Sequence, residues 1–160
     1  MALRTILTEG DPTLRKISRP VTKFDSRLEQ LMEDMLETMY QAPGVGLAAP
    51  QVGILKRVVV LDCGNGPLKL VNPQILEREG IQEWMEGCLS VPGKQGRTHR
   101  PAYVRVAYQD GRGQACEVTG EGLLAVCLCH EIDHLDGIVF TTLCDRMLTQ
   151  EELEKGQVEE

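Results

Sequence analysis

Between positions 28 and 40, apolar side chains return at spacings of three and four: Leu28, Leu31, Met32, Met35, Leu36, Met39 and Tyr40. That is the period of one helical face, and Ser26 followed by Glu29 reads as a capping box that opens the helix. The methionines on this face read as core. Pro43, Gly44 and Gly46 stop the helix, so residues 44–51 read as a glycine-bearing loop. Ahead of the helix, 7–21 carries Gly10, Pro12 and Pro20 and reads as loop and extended chain. Val58, Val59, Val60 and Leu61 form an unbroken apolar run, the pattern of a buried strand, closed by 62–66. Shorter runs at 68–71, 104–108 and 115–118 predict further strands, the last two joined as a hairpin across 109–114.

A second helix is predicted from about Glu121 to Leu135, with Gly120 and Gly122 ahead of it and Gly137 placed to end it. Thr149 and Glu152 repeat the capping-box pattern and predict a short C-terminal helix. Helices bracket the strands without regular alternation. This predicts an α+β fold, one small domain over residues 1–160, with a mixed or antiparallel sheet.

Bulk composition narrows the partners. The formal net charge is -7, and an acidic surface repels phosphate backbones, so direct nucleic-acid binding is not expected. The tail holds Glu151, Glu152, Glu154, Glu159 and Glu160 against Lys155 alone, the look of a solvated helix end. No apolar run approaches the roughly 20 residues that span a bilayer, and the opening residues are too mixed for a secretory signal. The six cysteines are therefore read as reduced thiols of a cytoplasmic protein without membrane contact.

The strongest chemical signal is His130-Glu131-Ile132-Asp133-His134. Residues four apart share a helix face, so two imidazoles converge on one ion, and Glu131 beside them is placed to take a proton from water on that ion. A hydrolytic site needs a third protein ligand and an open position. A third histidine six residues after His134 would complete one known pattern, but Phe140 stands there. The glutamates of the tail are candidates, and so is Cys88 in the bend Glu86-Gly87-Cys88-Leu89-Ser90.

Three segments in order, Gly44-Val45-Gly46-Leu47-Ala48-Ala49-Pro50-Gln51, then Glu86-Gly87-Cys88-Leu89-Ser90, then His130-Glu131-Ile132-Asp133-His134, resemble the motifs of peptide deformylases. Gly10-Asp11-Pro12-Thr13-Leu14-Arg15 is similar to that family's N-terminal segment, and the likeness runs to about Arg146. The resemblance implies a mixed sheet packed against the metal-binding helix, and Cys88 as the third ligand beside His130 and His134. It implies ferrous iron, with zinc or nickel as substitutes; two imidazoles and a thiolate alone suit zinc equally. The activity implied is hydrolysis of the N-formyl group from the N-terminal methionine of nascent polypeptides. Glu131 would serve as general base, with the side-chain amide of Gln51 and the backbone N–H of Leu89 as oxyanion donors.

Leu123, Val126 and Cys127 lie seven, four and three residues before His130 and share its face, an apolar wall that suits a methionine side chain. The family's methionine pocket falls there too, with Gly44 and Val45 opposite. Gly44 and Gly46 would let backbone approach the peptide as a pairing strand. Arg100 and Glu86 would brace the Cys88 bend by resemblance. Cys127 and Cys129 point to nearly opposite sides of a helix and are no chelating pair. With Cys63, Cys116 and Cys144 they are read as structural thiols, and His99 as a surface residue.

Two departures stand out. Cys129 occupies the position where the family usually carries Gln, which predicts altered support of the metal site. The acidic tail argues against the basic-helix ribosome docking of some bacterial members. The competing readings are a zinc peptidase using His130, His134 and a tail Glu, and a catalytically silent metal- or peptide-binding homologue.

Overall fold

The computed structural model describes residues 2–144 and the backbone of 146–149. Helix α1 (Ser26–Gln41) is followed by strands β1 (Gly46–Ala48), β2 (Val58–Leu61), β3 (Leu68–Glu79), β4 (Gln82–Cys88), β5 (Val91–Arg100), β6 (Tyr103–Gln109) and β7 (Ala115–Glu121). Helix α2 (Leu123–Leu135) and strand β8 (Arg146–Thr149) complete the order. Five strands form one sheet in the order β1-β2-β3-β6-β7, and β4-β5-β8 form a second. Among the described residues all the strand ladders are antiparallel.

The apolar run in β2 is buried because the sheet is covered on both faces. Successive side chains of a strand point to opposite sides. Val58 and Val60 join Met32, Met35 and Met39 of α1 in one apolar cluster, while Val59 and Leu61 join Ala125, Leu128 and Ile132 of α2 in another. Each large side chain buried this way contributes on the order of 1.5–3 kcal/mol. Helix α2 is therefore central, with apolar residues on the sheet side and its polar residues turned toward β4 and β5. A third cluster of Leu14, Val91, Val139 and Phe140 packs against Cys88.

The structure corrects the sequence reading in several places. The N-cap of α1 is Asp25, whose carboxylate accepts from the Leu28 N–H, so Ser26 is already the first helical residue. Tyr40 lies off the core face, 49% exposed, and its hydroxyl donates to Asp62. Helix α2 begins at Leu123, because Glu121 still belongs to β7 and Gly122, with φ of 57°, makes the junction. The stretch read as a loop contains β1 and a short 3-10 turn, Ala49–Val52. A similar turn, Pro12–Arg15, lies in the opening segment.

Strands β4 and β5 were not foreseen. Apart from Trp84, Met85, Cys88, Val91 and Pro92 their residues are polar or glycine, and β4 buries only Glu86, so neither carries an apolar alternation. Strand β3 also runs on past the predicted 68–71, through Asn72 and Pro73 into a half that is polar apart from Ile75 and Leu76. Thr149 is the last residue of β8, which pairs with Lys94–Arg97 of β5, and the predicted C-terminal helix lies outside the described residues.

Candidate metal centre and active site

Helix α2 and the end of β4 bring Cys88, His130 and His134 together. One donor atom from each lies within 4.8 Å of the others. The two Nε2 atoms are 3.3 Å apart, and Cys88 Sγ is 3.3 Å from His134 Nε2. Two nitrogens at about 2.05 Å from one tetrahedral ion are separated by about 3.3 Å, and a thiolate sulfur and a nitrogen by about 3.5 Å. The spacing of the donors thus fits a single cation. Both imidazoles are buried, at 7% and 1% exposure. Burial works against a proton on either ring, yet the Glu131 carboxylate and the bond to Glu86 push His130 up, while burial and the neighbouring His130 push His134 down.

The ring of His130 is oriented from behind. Its Nδ1 is 2.7 Å from Glu86 Oε1, the carboxylate–imidazole arrangement that fixes a ligand's orientation. Glu86 is gripped in turn by Arg100, whose Nε and Nη2 donate at 2.6 and 2.9 Å, and by the Thr98 hydroxyl. Burial raises this carboxyl, but the bonds from Arg100 and His130 outweigh it and hold it at about 2. Arg100 also donates to Asp133 at 2.7 Å, so the guanidinium ties β5 to both β4 and α2.

Glu131 is buried, and its Oε1 has no hydrogen-bond partner among the described residues. Burial pushes its carboxyl up to about 7, the range suited to a group that takes and returns a proton. Gln51 is also buried. Its Oε1 accepts from the Ala48 N–H, which turns the NH₂ toward the site, 3.0 Å from Ser90 Oγ and 3.5 Å from Cys88 Sγ. Leu89 sits in the tight turn between β4 and β5, directly after Cys88.

A cleft of about 490 Å³ opens above these groups, bounded by Gly44–Gly46 on one side and residues 91–95 on the other, with Gln51, Cys88, His130 and Glu131 at its floor. A smaller pocket of about 90 Å³ adjoins it, lined by Val45, Trp84, Met85, Leu123, Val126 and Cys127. The residues named from helical spacing alone as an apolar wall do share one pocket with His130 and Glu131. Gly44 and Gly46 both border the cleft, and each is also a close contact. A Cβ on Gly46 would lie 2.4 Å from Glu131 Oε2, and one on Gly44 2.6 Å from Leu89 Cδ1.

The family model for polypeptide deformylase matches residues 3–150. This chain belongs to the polypeptide deformylase family. A peptide deformylase of Acetivibrio thermocellus is 54% identical over 155 residues, covering 97% of this chain and 91% of the relative. The crystal structure of peptide deformylase from Thermotoga maritima superposes with a TM-score of 0.88 at 45% identity, covering 90% of this chain and 99% of that one. The deformylase structure from Legionella pneumophila gives 0.87 at 43% identity, covering 98% and 96%. The α+β fold read from the sequence is the fold these deformylases share.

Against that deformylase frame, Cys129 is a core residue. It is 4% exposed in the cluster between α2 and the five-stranded sheet, and burial pushes its thiol up to about 11. The contact of His130 Nδ1 with the Glu86 carboxylate is present with cysteine at this position. Sequence reasoning missed the tie from Arg100 to Asp133, the contact of Glu86 with His130, and the bond of Ser90 to Gln51. All three join residues more than 30 positions apart, which periodicity does not report. Trp84 and Met85 were missed as pocket residues because β4 was not foreseen. His99 is exposed on β5, and the tail glutamates offered as ligands lie outside the described residues. Among the described residues no helix is long and apolar enough to cross a membrane.

Proposed function

We propose that this chain hydrolyses the N-formyl group of formylmethionyl nascent polypeptides in the cytoplasm, releasing formate, with Cys88, His130 and His134 holding one divalent cation. Ferrous iron is the ion implied by family resemblance, and the donor set also accommodates zinc or nickel. When bound, the cation supplies Lewis acidity toward water and the formyl oxygen. The observation that carries the reading is the buried Glu131 carboxyl beside the Cys/His/His donors at the floor of an open cleft.

The rest follows from the side chains. Glu131 accepts the proton of the attacking water and returns it to the departing amine nitrogen. Charge growing on the formyl oxygen meets the Gln51 NH₂, preoriented by Ala48, and the Leu89 N–H. The methionine side chain enters the apolar pocket of Val45, Leu123, Val126 and Cys127. Strand β1 is an edge of the five-stranded sheet, so the peptide backbone adds alongside residues 44–46 as a further strand. Docking through a basic C-terminal helix is not part of the proposal, because the tail is acidic.

The test is formate release from formyl-Met peptides by metal-loaded protein. Glu131→Ala retains the metal and loses turnover by at least the roughly 10²–10⁴-fold attributed to general acid–base catalysis. Full rate in that variant refutes the assignment.

A further inference from the structure

Both ends of the Gln51 side-chain amide are held. Its Oε1 accepts from the Ala48 N–H at 2.9 Å, which settles which end of the amide is the donor, and its Nε2 donates to Ser90 Oγ at 3.0 Å. Ser90 is fully buried and Gln51 nearly so. An amide NH₂ carries two hydrogens. With one given to Ser90, the other is left on the side of Cys88 Sγ, 3.5 Å away, and of the cleft floor. The two segments that carry these side chains are tied together from behind. The Leu7 N–H donates to the Gln51 carbonyl and the Glu9 N–H to the Ser90 carbonyl, both at 2.7 Å. Leu7 and Cys88 also pack against the same apolar cluster. The opening segment thus spans the turns of Gln51 and Ser90 with two backbone bonds, and the side-chain bond between them is set by the fold.

We propose that Ser90 is a positioning residue: its hydroxyl oxygen takes one hydrogen of the Gln51 amide and so keeps the other aimed where charge grows on the formyl oxygen. The role rests on the deformylase reading of Gln51. An oxyanion donor is worth most when its direction is set before the charge appears. Without Ser90 Oγ the amide is held only through its oxygen, by Ala48, and its NH₂ can swing about that one bond. A buried N–H resists being left without an acceptor, so the nitrogen turns toward whatever acceptor remains, and the aim of its second hydrogen is lost. Ser90 does not line the cleft, so it acts through Gln51 and not on the substrate. The bonds from Leu7 and Glu9 use backbone atoms, so a change in the Ser90 side chain leaves them in place.

The experiment is a double-mutant cycle on metal-loaded protein: formate release from formyl-Met peptides by wild type, Ser90→Ala, Gln51→Ala and the double variant, with metal content measured on each sample. Ser90→Ala is expected to retain the metal and to lower kcat about tenfold, less than the roughly 10²–10³-fold of deleting an oxyanion donor outright, which is the loss expected of Gln51→Ala. KM should stay within about twofold, because the interaction lost is one made in the transition state. With Gln51 already alanine, the Ser90 change should alter kcat by no more than about twofold, since the two act as a unit. The same fold-loss from Ser90→Ala with and without Gln51 overturns the proposal, as do an unchanged kcat and a loss of metal from Ser90→Ala. Wild type that releases no formate refutes the deformylase reading and the role of Ser90 with it, whereas active wild type with an additive cycle removes the role of Ser90 alone.

Discussion

Replacing Gly46 by alanine separates two roles that this glycine could serve. If Gly46 only admits the peptide backbone, an added methyl weakens binding, KM rises and kcat holds. The structure argues for a second effect. The methyl carbon would lie 2.4 Å from Glu131 Oε2 and 2.9 Å from both Cδ and Cγ of the same side chain. Ordinary contact needs about 3.4–4 Å, so the carboxylate must retreat by about 1 Å, because β1 is buried and held by its ladder to β2. A 1 Å misplacement near the reacting atoms costs on the order of 100-fold in rate, about 2.7 kcal/mol of barrier. Overpacking also lowers stability, by about 1–3 kcal/mol. For a protein of this size, that moves Tm by about 2–4 °C per kcal/mol, so the variant stays folded at 25 °C. The assay is steady-state formate release with metal content measured on the same sample. The expected result is kcat down about 100-fold with the metal retained. A variant with kcat intact and only KM raised would show that the Glu131 carboxylate does not need its present position, and the argument for it as the base would fail.

The other predictions concern the supports of the site. Cys88→Ser removes the sulfur donor of the triad and leaves the two imidazoles; the metal content of purified protein should fall together with activity, and unchanged content would point to a ligand elsewhere. The Glu86 carboxyl stands at about 2, below its ordinary value of 4.5. A depressed carboxyl contributes stability that is fully present above pH 4.5 and is lost as pH falls from there through about 2. The contribution is on the order of 3 kcal/mol. Acid unfolding of wild type and Glu86→Gln should therefore converge toward pH 2, and parallel curves would refute the linkage.

The sequence by itself determined much of the chemistry. Two histidines four apart with a glutamate between them needed only the helical period to share a face, and α2 provides it from Leu123 to Leu135. The same period placed Leu123, Val126 and Cys127 on one wall, and the unbroken run in β2 announced a strand covered on both sides. These features are local, so their pattern is visible over a few turns of chain. The tertiary structure alone decided what crosses long separations. Cys88 reaches His134 from 46 positions away, Glu86 orients His130 from 44, and Arg100 bridges to Asp133 from 33. The carriers of those contacts, β4 and β5, are mostly polar strands whose buried positions after Val91 hold glycine, Thr98 and Arg100 in β5 and Glu86 in β4 instead of an apolar stripe. A strand stabilised by buried ion pairs leaves no hydrophobic period to read. Gly46 belongs with them: its need for a missing side chain arises from Glu131, which only folding brings against it.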